Sequence, residues 1–129
     1  MKVEISSLCE YASERQGRLT IVDTFDVINA MKFPWRAYFY YVAKIDVNDD
    51  CLQNYQTITM SIINMDNGDK LFETSNPLNQ IHKSDKLNLV AGFKGLIFNK
   101  AGEYRLDVYF DKELVINHPF KVVVKKDGK

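Results

Sequence analysis

Few of the 129 residues in this chain are of the types that bind metals or perform nucleophilic catalysis. There are two cysteines and two histidines, and they do not stand at the close spacing of a zinc site. The chain also lacks a run of about 18 apolar residues, which a membrane-spanning helix requires. Its 17 basic and 17 acidic residues cancel, so it has no basic field to attract nucleic acids or anionic membranes. We therefore expect no metal, no cofactor, no nucleic-acid partner and no membrane partner.

The amino terminus also lacks the apolar run of a secretory signal, and an acidic residue, Glu4, falls within it. A chain without an export signal is expected in the cytoplasm, where thiols are kept reduced. The sequence therefore predicts a cytoplasmic protein in which Cys9 and Cys51 are free thiols.

What the chain does contain is a strong two-residue alternation of apolar and polar side chains. It is clearest near the carboxyl end, where Tyr104, Leu106 and Val108 alternate and Phe120 and Val122 resume the pattern after a turn. Alternation with this period places every second side chain on one face of a β-strand. The end of the chain is thus predicted to be an antiparallel strand pair.

Further strands are predicted at 19–28, 37–47, 56–65 and 87–98, with turn residues between them. Many short strands without a convincing amphipathic helix are typical of an antiparallel β-sandwich, and we expect eight or nine strands in one domain over 1–129. The predicted core consists of Ile21, Phe39, Tyr41, Ile58, Ile62, Leu89, Tyr104, Leu106, Val108, Phe120 and Val122.

Two groups of short motifs are similar to those of a known family. The first comprises Leu8-Cys9-Glu10-Tyr11-Ala12, the stretch 17–26 and Phe33-Pro34. The second comprises Gly95-Leu96-Ile97-Phe98, Gly102-Glu103-Tyr104-Arg105 and Pro119-Phe120-Lys121-Val122. Together they resemble a family of short bacterial proteins, a domain of unknown function, over nearly the whole chain. The resemblance implies an immunoglobulin-like β-sandwich, and it brings no catalytic or ligand-binding residues to transfer.

Two acidic loops are the best candidates for a metal site. One contains Asp46, Asp49 and Asp50, and the other contains Asp66 and Asp69. Sandwich domains bind Ca²⁺ through oxygen ligands from loops at one end, so a calcium-binding or small-ligand domain is an alternative function. Aspartate is also common in turns, because it caps its own backbone and tolerates positive φ. Since no acidic residue repeats at ligand spacing within either loop, turn formation is the favoured interpretation.

Catalysis by a covalent mechanism would require a nucleophile beside a base. The two histidines, His82 and His118, stand in no recognised motif with Cys9 or Cys51. We therefore predict that the protein is not an enzyme.

An aromatic segment at the start of the strand 37–47 is the least routine feature of the sequence. If this strand alternates, Phe39 and Tyr41 face the core, and Tyr38 and Tyr40 face the other way. A strand with one face in water normally shows polar residues on that face. The outward tyrosines therefore need an explanation.

Three explanations for Tyr38 and Tyr40 remain open, and Trp35 is a neighbour expected to share their surface. The first is that the segment 10–17 or 29–36, each expected to be a connection, covers them. The second is a protein interface, because tyrosine combines apolar area with a polar tip. The third is a surface on which sugar rings stack. We favour a protein-binding module, with a homodimer as the commonest way of covering such a patch.

Overall fold

Nine β-strands in two sheets make up the part of the chain that the structure describes. A computed structural model describes residues 1–47, 54–78 and 86–125. The strands are β1 (Lys2–Arg15), β2 (Arg18–Phe25), β3 (Val27–Ala30), β4 (Trp35–Asp46), β5 (Thr57–Asn64), β6 (Lys70–Pro77), β7 (Lys86–Phe98), β8 (Gly102–Phe110) and β9 (Glu113–Val124). Within these residues no helix is long and apolar enough to cross a membrane.

The order of the strands is that of an immunoglobulin-like sandwich. One sheet has the order β2-β1-β4-β7 and the other the order β3-β9-β8-β5-β6. The trios β1-β4-β7 and β5-β8-β9 correspond to the immunoglobulin strands A-B-E and C-F-G. All neighbouring strands are antiparallel except β3 and β9, which are parallel. The predicted immunoglobulin-like sandwich is confirmed, and the one parallel pair was not predicted.

The core lies between the two sheets and follows the predicted alternation. Tyr41, Tyr104 and Phe110 are among its largest fully buried side chains. Every predicted core residue is buried except Ile21 and Leu89, which are half-buried. Ile21 packs in a second, smaller cluster rather than in the main core.

A hydrogen bond at the start of β8 fixes the turn that precedes it. The hydroxyl of Tyr104 donates to the carbonyl oxygen of Lys100 at 2.7 Å. The ring of Tyr104 contacts the ring of Phe98 edge-on, with centroids 5.0 Å apart, and stacks on the ring of Phe120, with centroids 5.8 Å apart. A tyrosine that bonds back to the backbone in this way, near the start of the strand equivalent to F, is the tyrosine corner of immunoglobulin-like sandwiches.

The prediction that residues 10–17 form a connection is wrong. β1 continues through this segment to Arg15, and β2 begins at Arg18. Gln16 and Gly17 form the turn between them, with φ of 53° and 80°. A two-residue turn with positive φ at both positions matches the twist of an antiparallel pair. The polar residues of this segment belong to a hairpin that is exposed on one side.

The predicted strand at 19–28 is divided in two. β2 lies in the four-stranded sheet and β3 in the five-stranded sheet, with Asp26 between them. β3 runs on to Ala30 and β4 begins at Trp35, so the expected connection at 29–36 is shorter than predicted. Alternation indicates which side chains are buried, but it carries no information about which sheet a strand joins. The change of sheet between β2 and β3 could therefore not be predicted from it.

Candidate interaction surface

The hairpin formed by the end of β1 and the start of β2 folds back over the outer face of the four-stranded sheet. We call residues 10–23 the hairpin flap. Beneath it lies a small cluster in which Cys9, Ala12 and Val42 are buried. Leu19 and Ile21 of the flap pack against this cluster. The flap therefore covers part of the outer face of β4, the face on which the sequence predicts Tyr38 and Tyr40.

The tip of the flap reaches β7, two strands away from β1 in the sheet. The side-chain amide of Asn88 on β7 donates to the carbonyl oxygen of Gly17 at 3.3 Å. Since β4 lies between β1 and β7, this contact requires the flap to cross over β4. Val42 on β4 is consequently fully buried, although it faces away from the main core.

Three tyrosines, one on the flap and two on β4, form a continuous surface. We call this surface the tyrosine row: Tyr11, Tyr38 and Tyr40. Tyr38 is 66% exposed and Tyr11 47% exposed, whereas Tyr40 is half-buried. The rings of Tyr11 and Tyr40 meet edge to face, with centroids 5.2 Å apart. Tyr38 and Tyr40 are two residues apart on β4, so their side chains share one face.

A glycine on the neighbouring strand allows Tyr40 to lie flat against the sheet. Gly92 on β7 pairs with Tyr40 in the register of the two strands. A Cβ atom at Gly92 would lie 3.0 Å from Cε2 of the Tyr40 ring. A larger residue at position 92 would require the Tyr40 ring to shift by a few tenths of an ångström, so the sequence of β7 helps to set the shape of the tyrosine row.

Of the three residues predicted to share a surface, Trp35 departs from the expectation. It is half-buried and packs against the main core, whereas Tyr38 and Tyr40 lie on the outer face. Trp35 and Tyr38 nevertheless border one groove of about 440 Å³, which Phe25 and Glu10 also line. The groove lies where the chain leaves the four-stranded sheet for β3.

Tyr11 is the member of the row that sequence reasoning missed. It falls in the segment 10–17, which the sequence predicts to be a polar connection rather than part of a strand. The signal was present, because Tyr11 and Val22 are both apolar and flank a Gln16-Gly17 turn at matching distances. They are partners in the hairpin, and Val22 is 41% exposed.

The members of the two acidic loops that the structure describes take part in turn and strand contacts. Asp46 lies 3.4 Å from the ammonium of Lys86. The backbone N–H groups of Asp66 and Asp69 each donate to an asparagine side chain two residues earlier, at 2.8 Å. Among residues 1–47, 54–78 and 86–125, no three histidine, cysteine, aspartate or glutamate residues converge as metal ligands. Asp49 and Asp50 lie outside the described residues.

The cysteines and histidines do not form a catalytic pair where the structure describes them. Cys9 is a free, fully buried thiol on the outer face of the four-stranded sheet, and burial raises its pKa. His118 contacts Tyr41 on the inner face of that sheet. The sheet therefore separates the two residues. Cys51 and His82 lie outside the described residues.

A polar group between the sheets was not predicted. Ser6 Oγ lies 2.8 Å from the hydroxyl oxygen of Tyr41 and 2.9 Å from Nδ1 of His118. Burial raises the pKa of Tyr41 to about 12 and lowers the pKa of His118 below its usual value. Nε2 of His118 is buried and has no hydrogen-bond partner in the described part of the chain. One nitrogen of the His118 ring thus lies beside Ser6 and the other is buried, so the group links the two sheets.

The fold and this surface define a small immunoglobulin-like sandwich with an exposed row of tyrosines. The chain belongs to a family of unknown function, DUF6941, whose model matches residues 4–123. The predicted resemblance to a domain of unknown function is thereby confirmed. No curated protein matches the chain. Among solved structures, an immunoglobulin-like protein from Pseudomonas aeruginosa is similar at 12% identity and a TM-score of 0.49, covering 95% of this chain and 98% of that chain.

Proposed function

We propose that this protein is a non-enzymatic interaction module of the bacterial cytoplasm that binds a second copy of itself through the tyrosine row. The exposure of Tyr38 at 66%, next to Tyr40 and Tyr11, is the observation that carries the proposal. Tyrosine is enriched at protein interfaces because its ring buries a large apolar area while its hydroxyl still forms hydrogen bonds. The free thiol of Cys9 supports the cytoplasmic location, because thiols are kept reduced in that compartment.

The surroundings of the row fit self-association. Lys94 lies opposite Tyr38 in the register of β4 and β7, and Glu10 borders the groove beside Tyr38. Both side chains are exposed. A two-fold axis presents the same patch on both partners, so a rim that carries both signs of charge can pair with itself. A rim of one sign would repel its copy.

The first experiment measures the molar mass of the purified protein by light scattering over a series of concentrations. We expect a dimer, and we expect Tyr38→Lys to be monomeric because it buries an ammonium at the contact. Tyr38 is the appropriate position, since its exposure means that the substitution leaves the core intact. The matched control is Leu114→Lys, which adds the same charge at a site 46% exposed on the other sheet.

A parent protein that remains a monomer at its highest soluble concentration would refute self-association. A Tyr38→Lys variant that remains a dimer with the same dissociation constant as the Leu114→Lys control would refute dimerisation through the tyrosine row. Circular dichroism of both variants checks that neither substitution has disturbed the fold.

The groove beside the row favours a second candidate, carbohydrate binding. Trp35 and Tyr38 offer two aromatic rings, and Glu10 and Asn29 offer polar side chains at the same groove. Sugar rings stack on aromatic faces, while carboxylate and amide groups hydrogen-bond to their hydroxyls. Trp35 is the only tryptophan of the chain, so its fluorescence reports directly on the groove.

Titration with neutral oligosaccharides tests this candidate. Binding should shift the Trp35 emission in a saturable way, and Glu10→Ala should weaken that binding. A constant emission spectrum up to the solubility limit of the sugars excludes stacking in the groove.

A further inference from the structure

We propose that the hairpin flap opens as a unit while the sandwich remains folded, and that opening exposes Cys9 and Val42 on the outer face of the four-stranded sheet. The proposal rests on how the flap is attached and does not depend on the function of the tyrosine row.

The apolar cluster that packs the flap against the sheet is small. It contains three buried residues, Cys9, Ala12 and Val42, with half-buried neighbours around them. The main core contains more than twenty buried residues from both sheets. An isolated two-stranded hairpin is marginally stable in water, and regions with few buried contacts open at a lower free energy than the whole domain. The flap should therefore open well before the sandwich unfolds.

The bend is located at Glu10 and Asp23, which lie opposite each other between the pairs Cys9–Thr24 and Tyr11–Val22. Pairing between β1 and β4 ends at Cys9. Beyond this residue the chain pairs only with β2, so two strands move together without breaking the rest of the sheet. Asp23 has a φ of 53°, a left-handed conformation that interrupts the regular extended backbone at this point.

Among the residues that the structure describes, one hydrogen bond attaches the tip to β7, and its geometry is modest. The Nδ2 atom of Asn88 lies 3.3 Å from the carbonyl oxygen of Gly17, which is long for an N–H···O bond. The Oδ1 atom of Asn88 is buried and has no partner within the described residues. A buried amide oxygen without a partner has a desolvation cost. Opening the flap returns this oxygen to water, which offsets part of the packing that is lost.

Opening changes the outer surface in two ways. Tyr11 moves away with the flap, so it separates from Tyr40 and the tyrosine row is interrupted. At the same time Val42 and Cys9, which are fully buried when the flap is closed, reach solvent. The flap thus gives the outer face two states, one with a continuous row and one with a short apolar strip.

The experiment uses Cys9 as a reporter, in a Cys51→Ser background that leaves one thiol. The native protein is labelled with the disulfide reagent DTNB over a range of low urea concentrations. If the flap opens by itself, the labelling rate is nearly independent of urea, because little surface is exposed in the opening. It should also exceed, by at least about tenfold, the rate calculated from global unfolding. A rate that follows global unfolding, with its full urea dependence, overturns the proposal.

Asn88→Asp provides a second test, since it replaces the amide donor at the tip with a carboxylate oxygen beside the Gly17 carbonyl. We expect Cys9 labelling several-fold faster than in the parent, with the urea midpoint of global unfolding little changed. Asn117→Asp, at an exposed position on β9 of the other sheet, is the matched control and should not alter the rate. Equal labelling rates in the two variants count against the flap.

If the Cys51→Ser background does not fold, amide hydrogen exchange of the parent protein tests the same proposal. The paired amides of 11–15 should exchange much faster than those of 5–9 in the same strand. Equal protection of both halves of β1 contradicts an independent flap.

Discussion

Ser6 on β1 and His118 on β9 lie in different sheets, and Ser6 Oγ is 2.9 Å from Nδ1 of the histidine. The same oxygen is 2.8 Å from the hydroxyl of Tyr41. Apart from this group, the two sheets meet largely through apolar side chains. A polar contact in such surroundings is sensitive to protonation, because a charge there is poorly solvated.

The first prediction concerns acid stability. Burial lowers the pKa of His118 below its usual 6.5, although the nearby carboxylate of Asp26 opposes the shift. As pH falls, the unfolded chain therefore takes up the proton before the folded one. The contribution of His118 to stability is complete above about pH 6.5 and is lost as pH falls from there through the folded pKa, with a slope of at most about 1.4 kcal/mol per pH unit. Urea unfolding at a series of pH values measures it.

The control is His118→Gln, which cannot titrate. His82 is present in both proteins, so the difference between their pH profiles isolates His118. We expect the variant to have a flatter stability profile between pH 7 and 5. Parallel profiles would show that the folded and unfolded states bind the proton equally.

The second prediction is that Ser6→Ala destabilises the fold. The substitution leaves the hydroxyl of Tyr41 and Nδ1 of His118 without this partner, and buried polar groups without partners cost about 1–3 kcal/mol. Ser7→Ala is the adjacent control, because within the described residues the Ser7 hydroxyl donates only to the carbonyl of the next residue, Leu8, at 2.9 Å. It should change the free energy of unfolding by less than about 0.5 kcal/mol. Similar costs for the two serines would contradict the inter-sheet role.

The third prediction concerns alkaline pH. Burial raises the pKa of Tyr41 to about 12, so its phenol should ionise after the exposed tyrosines in an ultraviolet titration of the folded protein. The unfolded chain loses this proton first. The corresponding stability is present below about pH 10 and is lost as pH rises through 12. Tyr41→Phe should remove the late component, and a late component that persists in this variant belongs to another tyrosine.

The fourth prediction compares two neighbours on β8. Leu106 is fully buried in the main core, and Leu106→Ala should cost about 2–5 kcal/mol. Alternation places Asp107 on the opposite face, and it does lie there, but it is 1% exposed and accepts a hydrogen bond from Nε of Arg105 at 2.9 Å. Asp107→Ala should therefore cost about 1 kcal/mol, because the loss of a charged hydrogen bond is partly offset by removing Oδ1, a buried oxygen without a partner in the described residues. Urea unfolding of both variants tests the order, and a silent Asp107→Ala contradicts the role of this contact.

Residues whose position depends on local alternation could be predicted from the sequence. Leu106, Val108, Phe120 and Val122 are buried as expected, because a strand fixes which face a side chain takes. Asp107 shows the limit of that rule. It lies on the predicted face of the strand, but it is buried there, and its contact with Arg105 depends on a long side chain two residues away. Alternation assigns a face and does not measure exposure.

The features that could not be predicted join residues far apart in the sequence. The flap reaches Asn88 from Gly17, 71 positions away, and the Ser6–His118 contact spans 112 positions. Neither pair has a local signature, since serine, glycine and asparagine occur in many turns and strands. The tyrosine surface was predicted in part: Tyr38 and Tyr40 share it, whereas the inward position of Trp35 depends on how the chain enters β4.

The fifth prediction tests the corner at the start of β8. The hydroxyl of Tyr104 donates to the carbonyl oxygen of Lys100 at 2.7 Å, and the ring is 1% exposed. Tyr104→Phe keeps the ring and its packing but leaves that carbonyl without this donor. We expect a loss of about 1–2 kcal/mol in the free energy of unfolding.

The matched control is Tyr109→Phe on the same strand, where the side chain is half-buried on the outer face. Because this variant removes the same atom from a wetter site, its effect should stay within about 0.5 kcal/mol. If Tyr104→Phe were no more costly than Tyr109→Phe, the turn between β7 and β8 would be held by ring packing on Phe98 and Phe120 alone. The hydroxyl bond would then have no measurable part in fixing the corner.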